Sequence, residues 1–368
     1  VTTVETGPWR DDRPLVERYR TMLFDLDGVV YRGALAVDHA PSAIAELAGR
    51  GRERIFVTNN PSRTPPEVAA LLGRLGVPVP ASSVVTSAQV AAAMAAATVP
   101  AGSRVLAVGG AAVLAALREE GLTPVRTAAD DPVAVVQGSA PEVDWRQLAE
   151  ASYAVARGLP WIATNMDLAV PREGGMAPGN GALVHAVTLA TGRVPLVAGK
   201  PEPAIFGYAR RRGPGPHVMV GDGLTTDVEG ARRSGLDSVL VLTGVTRVDD
   251  LLDAPPPQRP THVVTDLRGL FRAPPPVRGA DDRYACGPWR TRRQGDEIVL
   301  TGGPGDPADG VRVLCHAVWT ARGEGRPAVV AAGSRDLLRP RHRESLANVI
   351  STHDGTGGAR GTTPTRMA

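Results

Sequence analysis

The chain has 368 residues, 41 Lys+Arg against 38 Asp+Glu, a formal net charge of +3 and 43% apolar residues, which allows two or three domains with a sizeable core and excludes wholesale disorder. Two cysteines, Cys286 and Cys315, exclude a disulfide scaffold or cysteine-based zinc module, and the small net charge excludes a dominating field for nucleic acid despite a pI near 9.2. No run reaches the roughly 18 apolar residues of a membrane span, and Val1 to Arg20 lacks the apolar stretch of a secretory signal, so a soluble cytoplasmic protein is expected, with no nucleic-acid partner and no membrane insertion.

In chain order, the apolar run Thr21 to Phe24 reads as a buried strand and meets Asp25-Leu26-Asp27-Gly28. A helix is expected over Pro41 to Arg50, a strand over Arg54 to Val57 ending at Thr58-Asn59-Asn60-Pro61, and a helix over Pro66 to Leu75. The alternation restarts after Ala81. Strands are expected at Val105 to Val108, Val133 to Val136 and Trp161 to Ala163, and helices at Ala111 to Glu120, Trp145 to Arg157 and Ala182 to Ala190. Val194 to Lys200 resumes a core-like pattern, followed by a helix at Pro203 to Arg212. The strand His217 to Val220 leads into Gly221-Asp222-Gly223, and Val239 to Leu242 and His262 to Val264 supply further strands.

Two proline-rich stretches, Ala254 to Pro260 and Ala273 to Pro276, close this unit. Beyond them Glu297 to Leu300 is strand-like, Val311 to Ala321 is helix-like, and Ser351 to Ala368 has the composition of a disordered tail. The expected architecture is α/β: a Rossmann-like, doubly wound parallel sheet with an inserted α/β lid and a small C-terminal α+β appendage. The boundaries are expected at 18–80 with 193–272 for the core, 81–192 for the lid and 281–350 for the appendage.

Four polar clusters each follow an apolar strand: Asp25/Asp27, Thr58/Asn59/Asn60, Lys200 and Asp222/Asp227. In a parallel sheet the carboxyl ends of strands share one edge, so the clusters can converge. Several carboxylates around one point demand a cation, and oxygen ligands without His or Cys select a hard ion such as Mg²⁺. Lys200 is the chain's single lysine, every other basic residue being arginine; chance survival is one reading of it, and a need for a compact ammonium that meets a negatively charged substrate is the other.

Phosphoryl transfer fits this set. Asp25 is the candidate nucleophile, and Asp27 the acid that protonates the leaving oxygen and then the base for water. Asp25 and Asp222 would hold Mg²⁺, while Thr58, Asn59 and Lys200 would bind phosphoryl oxygens, with Asn60 in the same cluster. Taken singly, Asp-x-Asp, Thr-Asn-Asn-Pro and Gly-Asp-Gly are ordinary turns or helix caps. Their joint order and strand context separate them from that background.

Asp25-Leu26-Asp27-Gly28, Val57-Thr58-Asn59-Asn60, Gly199-Lys200-Pro201 and Gly221-Asp222-Gly223-Leu224-Thr225-Thr226-Asp227 resemble the four motifs of the haloacid-dehalogenase-like phosphatases. The chain is similar to the class with a large α/β cap between the second and third motifs, which includes phosphoglycolate and p-nitrophenyl phosphatases. The resemblance implies that Asp27 also binds the metal through its carbonyl and that Asp227 is an outer, orienting group. Asn165, Asp167 and the loop Pro178 to Gly181 resemble the cap segment that faces the core, making Asn165, Asp167 and Asn180 candidate substrate contacts; capping of the following helix is the alternative for Asn180. One departure is Gly223, where the class usually has arginine.

With the appendage, which resembles a fragment of an acetyltransferase fold, the implied reaction is Mg²⁺-dependent hydrolysis of glycerol 3-phosphate. Phosphoglycolate, p-nitrophenyl phosphate, a sugar phosphate or a nucleotide are the alternative substrates, a non-catalytic metal- and phosphate-binding protein is a less favoured reading, and a homo-oligomer through the lid remains open. Between Asp281 and Asn348 there is no Arg/Gln-x-x-Gly-x-Gly/Ala loop for coenzyme A, so acetyl transfer is not expected.

Overall fold

A computed structural model describes residues 13–172 and 174–338; the expected tail at 351–368 and the end of the appendage lie outside the described residues. The largest sheet has six parallel strands in the order His262–Val264, Asp237–Val241, His217–Gly221, Thr21–Phe24, Glu53–Thr58, Val84–Thr86. Thr21–Phe24 is buried along its whole length, as a continuous apolar run flanked on both sides by parallel neighbours requires. Phe24 pairs in register with Val220 and Phe56, and its ring stacks on Phe56 at 5.8 Å between centroids. That register sets the ends of three neighbouring strands, at Phe24, Thr58 and Gly221, along one edge.

The connecting helices carry their own start signals. Thr64 caps Pro65–Arg74: its hydroxyl accepts the Glu67 N–H, and the Glu67 carboxylate accepts the Thr64 N–H at 2.7 Å. Thr86 and Gln89 form the same reciprocal box at the start of Ser87–Ala96. This helix lies between the large sheet and a smaller one. Its Ala88, Val90, Ala91, Ala92 and Ala95 share one apolar cluster with Leu23, Ile55 and Val57 on one side and Val105, Ala107, Ala134 and Val136 on the other. Alanine is what lets a helix sit close to both layers.

The smaller sheet has five parallel strands in the order Leu196–Val197, Trp161–Ala163, Ala134–Gln137, Arg104–Val108, Thr123–Val125. An antiparallel hairpin, Ala169–Arg172 with Gly175–Pro178, adjoins it in sequence. The C-terminal unit is an antiparallel meander of Arg278–Ala280, Arg283–Cys286, Trp289–Gln294 and Glu297–Thr301, extended by Val329–Val330 in parallel. The helix Pro307–Gly323 packs across it. Among the described residues no helix is long and apolar enough to cross a membrane.

Two expectations need correction. The lid does not begin at Ala81, because Val84–Thr86 pairs with Glu53–Thr58 in the large sheet. Three residues are too short a run for periodicity to reveal such a strand. The stretch from Val194 to Lys200 is not core throughout: Val194 and Leu196 are 81% and 58% exposed. Leu196–Val197 is an edge strand of the smaller sheet, and an edge strand in contact with solvent can carry the same apolar sequence as a buried one.

Candidate active site

Asp25 directly follows the strand Thr21–Phe24, and its N–H donates to Val220 O at 2.9 Å, continuing the parallel pairing to the site itself. Asp222 follows the neighbouring strand and Thr58 ends the one on the other side. Carboxylate oxygens of Asp25, Asp222 and Asp227 lie within 4.8 Å of one another. Lys200 Nζ stands among them, donating to Asp25 Oδ1 at 2.6 Å and to Asp227 Oδ1 at 2.7 Å.

Lys200 reaches this point by a different route from the one its apolar approach suggests. It follows Leu196–Val197, a strand of the smaller sheet, and enters on the chain returning to the large one. Gly199 makes the passage possible, since a Cβ there would fall 2.6 Å from both Asn59 Oδ1 and Thr164 O. Asn59 then fixes the backbone of the lysine: its Oδ1 accepts the Lys200 N–H at 2.7 Å and its Nδ2 donates to Lys200 O at 3.1 Å.

Asp222 is held from a third direction. The Val245 N–H donates to its Oδ2 at 2.7 Å, and the Thr246 hydroxyl donates to its backbone carbonyl. Gly28 and Gly244 close on the same carboxylate. A Cβ would come within 2.1 Å of Asp222 Oδ2 from Gly28, whose φ is +79°, and within 1.7 Å from Gly244. Glycine at both positions lets two backbone segments press against a charged side chain. Asp227, on the π-helical turn Leu224–Val228, uses both oxygens within the protein: Oδ1 on Lys200 and Oδ2 on the Gly223 N–H at 3.0 Å.

The electrostatics reflect three carboxylates facing one ammonium. Burial pushes Asp25 well above the ordinary carboxylate range; Lys200 opposes the rise, while Asp227 and Asp222 add to it. Asp222 is pushed up to about 6, by burial first and then by Asp227. For Lys200 burial works against the charge, but Asp227 and Asp25 outweigh it and the ammonium is held more firmly than usual. Asp27 opens to solvent at the rim. Desolvation by the surrounding protein raises it, and the Tyr31 hydroxyl, Lys200 and Arg63 pull it back.

The other sequence candidates divide. Thr58 is buried beside the site, and its hydroxyl accepts the Asn60 N–H. Asn60 turns away into a local turn, its Oδ1 accepting from Ser62 N and Oγ. Asp167 comes within reach across the sheets, accepting from Asn59 Nδ2 at 3.2 Å, and burial raises its carboxyl. Asn165 and Asn180 are 2% and 1% exposed. Asn165 Nδ2 donates to Asn59 O and its Oδ1 accepts the Asp167 N–H; Asn180 Nδ2 donates to Asn165 O at 2.8 Å. These amides tie the loop that carries Asp167 to the Asn59 turn. Both polar atoms of Asn165 are taken by backbone groups, whereas Asn180 Oδ1 is buried without a hydrogen-bond partner among the described residues. Asn180 is not a helix cap, because Gly179 occupies that place.

Sequence reading missed the segment Thr243 to Thr246, although it carries a usable signal: a glycine-containing turn at the end of the parallel strand Asp237–Val241. Tyr31 and Arg63, which bear on Asp27, were likewise not singled out.

Residues 22–123 match the family described as haloacid dehalogenase-like hydrolase, and 197–270 the one described as HAD-hydrolase-like. A D-glycerol 3-phosphate phosphatase of Mycobacterium tuberculosis is 39% identical over 347 residues, covering 91% of this chain and 96% of the relative. The chain belongs to the haloacid-dehalogenase-like hydrolases, on their phosphatase branch. The crystal structure of a glycerol phosphate phosphatase from the same organism, in complex with magnesium, superposes with a TM-score of 0.78 at 37% identity, covering 89% of this chain and 98% of that one. A 5'-nucleotidase of Bacillus subtilis is 34% identical over 68% of this chain and 97% of its own length. The C-terminal unit matches, over residues 286–339, a GCN5-related N-acetyltransferase like domain.

Proposed function

We propose that the protein is a magnesium-dependent phosphomonoesterase that hydrolyses glycerol 3-phosphate to glycerol and phosphate through an aspartyl-phosphate on Asp25. The observation that carries this reading is the convergence of Asp25, Asp222 and Asp227 around Lys200. Three carboxylates against one ammonium leave an excess of two negative charges at full ionisation, the charge a single divalent cation offsets, and the donors are all oxygen. Asp25 and Asp222 each spend one oxygen on the protein, on Lys200 and on the Val245 N–H, and keep the other for a cation. Asp227 has both oxygens engaged, which supports an orienting role for it. The Asp27 carbonyl is the further ligand implied by the family. Magnesium, when bound there, supplies charge neutralisation to the phosphoryl oxygens.

The chain's own groups do the rest. Lys200 and the Thr58–Asn59 turn bind and orient the phosphoryl group. A carboxylate oxygen of Asp25 forms the bond to phosphorus as the bond to the glycerol oxygen breaks, and Asp27 gives its proton to that oxygen. Water then attacks phosphorus, the bond to Asp25 breaks, and Asp27 takes the proton back. The raised carboxyl of Asp27 suits a group that must carry a proton and then receive one.

The substrate is favoured by likeness over 91% of the chain to a relative named for glycerol 3-phosphate; the nucleotidase is similar over only 68%. Phosphate release should be measured from glycerol 3-phosphate, phosphoglycolate, p-nitrophenyl phosphate, sugar phosphates and 5'-nucleotides, with magnesium and with chelator. Highest kcat/KM on glycerol 3-phosphate, abolished by chelation, is expected. A higher value on another ester would replace the substrate, and undiminished turnover in chelator would remove the metal from the mechanism.

A further inference from the structure

One contact of the C-terminal unit with the rest of the chain reaches segments that hold the acidic groups. The segment Thr243 to Thr246, which fixes the carboxylate and carbonyl of Asp222, runs directly into the short helix Val248–Leu252. A helix end leaves carbonyls without partners. Here the carbonyl of Leu252 is taken by two donors from the helix Pro307–Gly323: Trp319 Nε1 at 3.2 Å and Arg322 Nη1 at 2.9 Å. Arg322 also pairs with Asp253 at 2.9 Å, and Arg335 with Asp249 at 2.9 Å. Of the two arginines, Arg322 stands at the C-terminal end of this helix and Arg335 at its N-terminal end.

The packing agrees. Leu251 and Leu252 share one apolar cluster with Tyr284, Trp289, Leu314, Val318 and Trp319 of the C-terminal unit. Leu224 and Val228, on the turn that carries Asp227, belong to the same cluster. The C-terminal unit therefore supports two of the segments that hold the acidic groups: the turn bearing Asp227 and the loop that grips Asp222.

We propose that the C-terminal unit is a positioning element of the catalytic centre, with Trp319 and Arg322 fixing the helix Val248–Leu252 so that Val245 and Gly244 aim Asp222 at the cation. This rests on the magnesium reading above. It gives the acetyltransferase-like fold a role that needs no acetyl transfer. Trp319 and Arg322 touch neither substrate nor the reacting atoms, so they are positioning residues. Removing groups that orient a metal ligand costs roughly 10–100-fold in metal affinity; acting one contact further away, these two should fall at the low end.

The test is magnesium titration of the full chain by calorimetry, comparing wild type with the double variant Trp319→Phe/Arg322→Ala, which keeps an aromatic ring in the cluster. Magnesium affinity is expected to fall about 10-fold, with kcat and KM at saturating magnesium close to wild type. Adding Arg322→Lys in place of Arg322→Ala, on the Trp319→Phe background, should recover part of the loss, because an ammonium can still donate to Leu252 O. Arg326→Ala, which breaks the pairs with Asp282 and Glu324 elsewhere in the unit, should leave affinity unchanged. Should the double variant fail to fold, Arg322→Ala alone carries the test. Equal magnesium affinity in wild type and a folded Arg322→Ala or double variant overturns the proposal while sparing the magnesium reading; a wild-type chain that takes up no magnesium overturns both.

Discussion

Among the described residues, two ionic clusters are built to opposite rules. At the proposed catalytic centre Asp25, Asp222 and Asp227 face a single cation, Lys200. Where the helix Pro307–Gly323 meets the core, Asp306 and Asp309 face two, Arg272 and Arg312. The second cluster is balanced in charge. Asp306 accepts the Thr265 hydroxyl at 2.7 Å and the Ala308 N–H at 2.8 Å, and Arg312 donates to Pro275 O at 3.0 Å. The first is left with more negative charge than the protein supplies positive. A balanced buried cluster specifies how two parts of a fold meet, whereas an unbalanced one keeps a place for something the chain does not contain.

Substitution should separate the two clusters most sharply at Asp25. Asp25→Asn keeps shape and most hydrogen bonding but removes the proposed nucleophile, and turnover should fall by at least ~10⁴-fold. The same change at Asp306 should leave kcat within about twofold, since Asp306 is outside the site. Steady-state phosphate release on both variants decides this. Comparable losses would mean that Asp25, too, serves only the architecture.

Next in size is a stability effect confined to the balanced cluster. Asp309→Ala leaves Arg312, 2% exposed, with its charge unpaired, and breaking a buried pair from one side costs about 3–5 kcal/mol. Denaturant midpoints with and without magnesium should show this loss equally in both. A loss that magnesium repairs would place Asp309 with the catalytic set.

At the unbalanced cluster the sign reverses. Unit charges within 4.8 Å of one another repel by about 3.5 kcal/mol or more at an effective dielectric of about 20, and Asp25 and Asp222, raised first by burial and then by their acidic neighbours, relieve part of this by holding protons more tightly. Asp222→Asn should therefore stabilise the metal-free protein, by about 1–2 kcal/mol, and abolish the stabilisation that magnesium gives wild type. A destabilised metal-free variant would show that the carboxylates are not in conflict.

How much of this was legible in the sequence depended on how local each signal was. Asp25, Thr58 and Asp222 each follow an apolar strand, so the alternation of strands and helices places them on one edge before any coordinates are known. Asp25 and Asp222 could be marked as acidic, but not that Gly28 and Gly244 would press on Asp222 from two distant segments. Lys200 stood out as the lone lysine, yet its approach through the smaller sheet was hidden, because a two-residue edge strand has no period to read. Asn165 and Asn180 show the limit on the other side. An amide near a site looks the same in sequence whether it faces substrate or ties two loops, and only burial and partners distinguish the two. The balanced cluster was not foreseen at all, since Arg272, Asp306, Asp309 and Arg312 are ordinary members of an arginine-rich chain until the fold brings them together.

The smallest expected effect concerns pH and the C-terminal unit alone. His316 lies on the helix Pro307–Gly323, 7% exposed, edge-on to Tyr284 with ring centroids 4.6 Å apart. Burial lowers its proton affinity below the ordinary value of 6.5. A histidine whose folded pKa lies below its unfolded one stabilises the fold in the neutral form. Its contribution is complete above the unfolded value and is lost as pH falls towards and through the folded one. Wild type should therefore lose stability relative to His316→Phe as pH is lowered from about 7.5 to about 5.5, with carboxylate titrations common to both chains cancelling in the difference. Denaturant midpoints across that range give the measurement, and parallel curves for the two proteins would remove His316 as the cause. Because the helix also carries Trp319 and Arg322, the same acid shift should weaken magnesium binding in wild type more than in His316→Phe if the C-terminal unit supports the metal side of the site.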